Sequence, residues 1–303
     1  MVSKTAKREA QIEMPLMIAL THAEREVFAD LGVTKQGVAN YYAHVAQWLL
    51  AQVADRPISV LRCPQGIGAA CFFQKHAGKG WGKHIKAVTV KDSNGDAEYL
   101  RIDDERGLFG LVQMNVIELH PWNTRAKGLD RADRIVFDLD PHPAVAWSRI
   151  VAAARKVGKY LQSTGLQSFL RTSGGKGFHV VVPLRPVAPW AQVKAFAQDV
   201  AVSLAELHPA EFVAVTGERN REDKIFIDWL RNAAGATSVA SYSLRARAEA
   251  GVAMPIGWEE IGKVKSGHAF TIANVPGLMQ QRRRDPWAEL NVVKQRLPAQ
   301  SKR

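Results

Sequence analysis

Residues Arg134-Ile-Val-Phe-Asp-Leu-Asp140-Pro141 read as a β-strand that ends in two acids. Successive strand side chains point to opposite faces, so Asp138 and Asp140 share one face while Phe137 and Leu139 point into packing. Two carboxylates side by side repel unless a cation lies between them. At the end of an apolar strand, before a proline that stops pairing, the pair suits a hard cation such as Mg²⁺ or Mn²⁺. A solvated strand end with an Asx turn is the plainer alternative.

Downstream of this strand, Val145 to Leu161 reads as an Ala- and Val-rich helix. Gln167 to Arg171 and Gly177 to Pro183 read as a strand pair, Trp190 to Leu207 as a second long helix, Lys224 to Trp229 as a strand and Trp287 to Leu297 as a closing helix. Upstream, Thr34 can cap a helix whose apolar face carries Tyr41, Val45, Trp48, Leu49 and Val53, ended by Pro57. Strand-like runs follow at Ile58–Leu61, Ala69–Gln74, Ala87–Val90, Tyr99–Ile102 and Gly110–Leu119. The mixture predicts an α+β fold, with antiparallel or mixed sheets flanked by helices, rather than a regular doubly wound one. The chain shows no repeat or low-complexity linker, so 1–303 is expected to be one domain with polar, frayed ends at about 1–12 and 299–303.

Two further features bear on Asp138 and Asp140. Asp228 lies in Lys224-Ile-Phe-Ile-Asp-Trp-Leu230, and an acid flanked by Ile227 and Trp229 is costly to bury unless it is paired or bound to a cation. Three acids on neighbouring strands suffice for two metal ions; an ion pair with Arg231 is the alternative. Arg171-Thr-Ser-Gly-Gly-Lys-Gly-Phe-His179 offers backbone N–H groups, the Ser173 hydroxyl and the Lys176 cation to an anion, unless it is an ordinary glycine hairpin. It is not a P-loop, because a strand rather than a helix follows it.

The chain has 303 residues, 41 Lys plus Arg against 29 Asp plus Glu, and a net charge of +12, a balance that favours a polyanionic partner. Cys63 and Cys71 have no zinc-knuckle spacing and are expected to be reduced, buried thiols. No signal peptide or membrane-length apolar stretch is evident, so a cytoplasmic, nucleoid-associated setting without a membrane partner is expected.

In this order, Asp138-Leu-Asp140, Ser173-Gly-Gly-Lys-Gly-Phe-His179 and Asp228 resemble the three motifs of the archaeo-eukaryotic primase superfamily. The closer resemblance is to the polymerase domain of bacterial ATP-dependent DNA ligase D. It extends through Arg62-Cys-Pro-Gln-Gly66, Phe72-Phe-Gln-Lys-His76, Glu118-Leu-His-Pro-Trp122 and Asp228-Trp-Leu-Arg-Asn232, covering about Thr34 to Arg245. It implies a primase-like catalytic core with an N-terminal α/β module packed on it. The implied reaction is template-directed addition of nucleotides, ribonucleotides by preference, to primer 3′-ends at gaps or breaks during non-homologous end joining.

The resemblance implies that Asp138, Asp140 and Asp228 hold two Mn²⁺ or Mg²⁺ ions, with Asp228 nearest the primer 3′-hydroxyl. It implies that Ser173, Lys176, His179 and Arg245 contact the NTP or dNTP phosphates, and that His120 lies near the sugar. Arg25 and Lys35 would receive a downstream 5′-phosphate, although Lys35 alone reads as a first-turn helix lysine. Phe72 and Phe73 fit stacking on template bases, but adjacent strand residues face opposite ways, so one is expected to stack while the other fills core. The Lys75-to-Lys86 run reads as a solvated hairpin face or a mobile DNA-grasping loop, and Arg282-Arg283-Arg284 as a weaker backbone contact. Implied partners are DNA with gaps, overhangs or breaks, ligase and nuclease domains of a longer chain, and an end-binding protein. Competing expectations are a de novo primase, a non-catalytic end-binding module and a metal-dependent nuclease.

Overall fold

The computed structural model describes residues 20–298, apart from 79, 93–94, 218–220 and 283. Both ends expected to fray, Lys79 of the basic run and Arg283 lie outside the described residues. In chain order the elements are β1 (Glu26–Phe28), β2 (Val33–Thr34), α1 (Lys35–Val53), β3 (Ile58–Arg62), β4 (Phe72–Gln74), β5 (Lys86–Asp92), β6 (Gly95–Arg101), α2 (Glu105–Gln113) and β7 (Val116–Pro121). They continue with β8 (Arg134–Pro141), α3 (Trp147–Ser163), β9 (Phe169–Thr172), β10 (Phe178–Pro183), α4 (Trp190–Leu207), β11 (Phe212–Val213), β12 (Ile225–Asp228), β13 (Pro255–Ile256) and α5 (Val275–Gln281).

Two larger sheets organise these elements, giving the mixed α+β architecture. In the first, β4-β3-β6-β5 lie side by side and β7 also pairs with β3. The second has the order β11-β12-β8-β10-β9-β13, antiparallel except for the β11–β12 pair. Alternation along β8 divides the second sheet's faces. Ile135, Phe137 and Leu139 join the core beneath α3 and α4, whereas Val136 packs with Val181, Phe169 and Trp287 on the other face. The even-numbered Asp138 and Asp140 belong to that second face by the same alternation.

Another core binds the first sheet to the downstream chain. It contains Tyr41, Tyr42 and Leu49 of α1 together with Tyr242, Leu244, Met254 and Val275. The Tyr41 hydroxyl donates to Tyr242 O at 2.8 Å and the Tyr42 hydroxyl to Ile117 O at 2.6 Å. Thr34 Oγ1 caps α1 by accepting from Gly37 N at 3.2 Å.

Three expectations are corrected. Gly110–Gln113 is not strand but the end of α2, because Asp104 caps Gly107 N at 2.8 Å and Leu108, Leu111 and Val112 bury one helical face. Trp287–Leu297 forms turns and irregular chain instead of a helix. Trp287 Nε1 is tied to Leu170 O at 2.9 Å, Gln295 Nε2 donates to Gln167 O and Pro183 O, and Asn291-Val292-Val293 are poor helix formers. Finally, Cys63 and Cys71 form a disulfide, with Cα atoms 4.4 Å apart. The β3–β4 register pairs Arg62 with Phe72, so the next residues along the hairpin come face to face.

Candidate active site

Register, more than sequence proximity, assembles the site. On β8, Asp138 stands opposite His179 of β10 on one side and Asp228 of β12 on the other. His179 in turn stands opposite Arg171 of β9. Directly opposed strand residues project to one face, giving the row Asp228, Asp138, His179, Arg171 across four strands. Asp140 continues that face two residues along.

Each member of the row orients its neighbour. Arg171 is buried and reaches His179 Nδ1 from NH2 at 2.9 Å and from Nε at 3.2 Å. This leaves the Nε2–H to face Asp138 Oδ1, 3.4 Å away. Burial holds the His179 pKa below the usual imidazole value, with Arg171 adding to the effect and Asp138 opposing it. Burial pushes the Asp138 carboxyl up, but His179, Arg231 and Arg245 outweigh it and keep it well below the ordinary range. Asp228 is raised, mainly by burial, with Arg231 pulling against it and Asp138 adding to it.

The third acid does pair with Arg231, whose Nε is 3.0 Å from Asp228 Oδ2 and 4.0 Å from Asp138 Oδ2. Leu230 N donates to Asp228 Oδ1 at 2.9 Å. Arg221 NH1 donates to Asp140 Oδ2 at 2.9 Å and stacks on Phe226, 4.0 Å from its centroid. In this arrangement no group of three or more His, Cys, Asp or Glu side chains among the described residues is close enough to hold a metal ion. The donor set, three carboxylates on one face, is that of a hard divalent cation, which would have to displace the Arg231 and Arg221 guanidinium groups from Asp228 and Asp140.

The Ser173–Gly177 loop lies beside this row. Ser173 Oγ accepts from Gly175 N at 3.2 Å and from Gly177 N at 3.1 Å, so the hydroxyl that was expected to meet an anion shapes the loop. At Gly177 a Cβ would lie 2.1 Å from Leu139 O, and only glycine permits this approach to β8. Lys176 is exposed. Arg245 NH1 donates to Ser173 O at 2.8 Å and its Nε to Glu118 Oε2 at 3.0 Å. His120 Nε2 reaches the same carboxylate at 2.8 Å, so Glu118 joins β7 to the loop. Burial pushes the Glu118 carboxyl up, but His120 and Arg245 hold it down at about 2.

Phe73 and Phe72 divide between the two faces of β4. The Phe73 ring meets His120 edge-on with centroids 5.2 Å apart, while Phe72 and Trp81 both stack on Arg62. Both phenylalanines are exposed, so neither fills core as expected, because β4 is an edge strand with open faces on both sides. Arg25 and Lys35 are neighbours, since Lys35 N donates to Arg25 O at 2.8 Å. Lys35 is buried, with Nζ on Thr21 O and Gln113 O, and Arg25 NH1 donates to Pro64 O at 2.7 Å. Arg282 is engaged by Glu260 and Pro255 O, and Arg284 by Glu289.

Sequence reasoning assigned no role to Arg171, Arg221 or Glu118. The only advance signals were that Arg171 opens the glycine loop and that Glu118 shares a strand face with His120.

This fold and site define a primase-type nucleotidyltransferase, a DNA-directed enzyme. The family model described as the primase-polymerase domain of LigD matches residues 34–287, and the chain belongs to that family. It is 39% identical over 287 residues to the multifunctional non-homologous end joining protein LigD of Pseudomonas aeruginosa, covering 94% of this chain and 34% of that protein. To the bifunctional LigD of Bacillus subtilis it is 29% identical over 262 residues, covering 85% of this chain and 42% of the relative. The chain thus spans about a third of the first relative's length. Among solved structures, the polymerase domain of Mycobacterium tuberculosis ligase D in complex with DNA superposes with a TM-score of 0.85 at 30% identity. That match covers 92% of this chain and 99% of the other. No helix among the described residues is long and apolar enough to cross a membrane.

Proposed function

We propose that the chain extends primer 3′-ends at gaps or broken DNA ends in non-homologous end joining, with ribonucleoside triphosphates as preferred substrates. The observation that carries this reading is the in-register row of Asp228, Asp138 and His179 beside a glycine loop to which Arg245 is bonded.

Asp138, Asp140 and Asp228 would hold two divalent cations, with Mn²⁺ as the preferred ion. When bound, these ions would supply charge neutralisation at the triphosphate and a lowered pKa for the primer 3′-hydroxyl. The remaining work falls to the protein. Ser173, Lys176 and Arg245 contact phosphate oxygens, and His179, whose Nδ1 is fixed by Arg171, turns its Nε2–H from Asp138 to a phosphate oxygen once a cation occupies that carboxylate. His120, tied to Glu118, lines the sugar side, where the Phe73 ring also lies and stacks on a template base. Most of the catalytic effect comes from alignment and electrostatic stabilisation.

Arg25 and Lys35 form the 5′-phosphate pocket. Burial, followed by Arg25, lowers the Lys35 pKa, so a phosphate there would relieve the repulsion between the two cations. The basic run around Trp81 grasps DNA, and ligase and nuclease domains of a longer chain, with an end-binding protein, are the proposed partners.

Primer extension on gapped DNA tests the reading. Asp138→Ala and Asp140→Ala should each reduce nucleotide addition at least 10³-fold while DNA affinity changes by less than about threefold. Full activity in either variant refutes it. A 5′-phosphorylated gap should be bound at least about tenfold better than an unphosphorylated one. Equal binding would favour a de novo primase.

A further inference from the structure

At the opposite end of β8 from Asp140 lies a basic cavity of about 610 Å³. Its cationic lining is Arg125, Lys127, Arg134, Arg185 and Lys294, and Asp133 is its one carboxylate. Arg56, fully buried, holds both oxygens of Asp133, from NH1 at 2.8 Å and NH2 at 2.5 Å. The single acid is therefore already neutralised. Arg134 has a side chain only 7% exposed, and its remaining contacts are long: 3.4 Å from Asp133 and 3.5 Å to Gln52 Oε1. No ion pair or side-chain hydrogen bond engages Lys127, Arg185 or Lys294 among the described residues.

A buried guanidinium in a surplus of positive charge is costly unless an anion compensates it, and arginine forks match phosphate geometry. The opposing wall is apolar, formed by Pro183, Leu184, Leu290 and Val293. A volume in this range with an apolar wall and a few polar groups is characteristic of small-molecule sites. The cavity is distinct from the catalytic row. Arg134 precedes Asp138 by four residues, about 13 Å along a strand, and Trp287 and Leu290 pack over Val136 between them.

We propose that this cavity is a second binding site for a phosphate-bearing ligand of nucleotide size, with its phosphate on Arg134, Arg185 and Lys294 and its less polar part on the Leu184–Val293 wall. The same chemistry is offered by a free nucleotide and by one nucleotide unit of a nucleic-acid strand.

Calorimetric titration of the full chain in EDTA, with ADP and separately with an unphosphorylated oligothymidylate, tests the assignment. The double variant Arg185→Ala/Lys294→Ala alters exposed residues and should preserve the fold. Arg134→Gln probes the buried member, and Arg245→Ala controls for the catalytic loop. At least one probe should bind the parent in an event that the double variant weakens at least tenfold and that stays separate from any binding lost in Arg245→Ala. Loss of ADP binding alone in the double variant would identify a free nucleotide, and loss of a salt-dependent part of the oligonucleotide binding in that variant a strand. The site is refuted if neither probe binds, if the double variant binds as the parent does, or if Arg245→Ala abolishes binding.

Discussion

Glu118 joins two parts of the site through its carboxylate: His120 on its own strand, and Arg245 and Ala246 N on a segment 127 residues away. Its carboxyl is held at about 2 in the folded protein, against about 4.3 in an unfolded chain. A depressed carboxylate stabilises the fold above the unfolded value and loses that contribution as pH falls through the folded one. Glu118→Gln should therefore cost about 3 kcal/mol at pH 7, with the difference shrinking steadily below about pH 4. Thermal unfolding of both proteins between pH 2 and 7 measures it, and a difference independent of pH would refute the assignment. The acids of the row were legible in advance because alternation alone places Asp138 and Asp140 together. Their arginine partners were not, since a guanidinium's choice of carboxylate depends on which loops return to the sheet. The Asp228 pairing with Arg231 was visible because the two lie within one turn of chain.

At the scale of elements, the β9–β10 hairpin fits against β8 because Gly177 lets its backbone nearly touch Leu139 O. Gly177→Ala should force the strands apart or the loop out of place. Expected consequences are a loss of at least about 2 kcal/mol of stability and at least tenfold weaker nucleotide binding, read by denaturant unfolding and by titration. Unchanged binding would show that loop position does not control the triphosphate pocket. Strand and helix identities in this half followed from periodicity, and Trp190–Leu207 agrees at both boundaries. Periodicity failed where local and long-range signals compete. Gly110–Leu119 contains both a helix end and a strand, and the switch occurs at Asn115, which adopts a left-handed conformation (φ 59°). The Trp287 segment has apolar spacing, but its indole is committed to β9. The disulfide was hidden because eight-residue spacing carries no hairpin register.

For the whole molecule, the shared core between α1 and the Tyr242–Val275 region argues against separate folding units. Equilibrium unfolding in urea should show one transition by both tryptophan fluorescence and far-UV circular dichroism. Tyr42→Phe, which removes a buried hydroxyl bonded to Ile117 O and Leu244 N, should shift that transition by about 1–3 kcal/mol without splitting it. Two separated transitions would mean that the N-terminal module is autonomous.

The contact between Tyr41 and Tyr242 spans 201 residues, which gives the chain a timetable during synthesis. At about 5–20 residues per second, the first helix emerges roughly 10–40 s before the segment that completes its surroundings. Over that interval the part of its face that meets Tyr242 must remain exposed or be shielded by a temporary companion. Codon usage or chaperone supply in the stretch between them would therefore govern the yield of active enzyme without altering a single side chain.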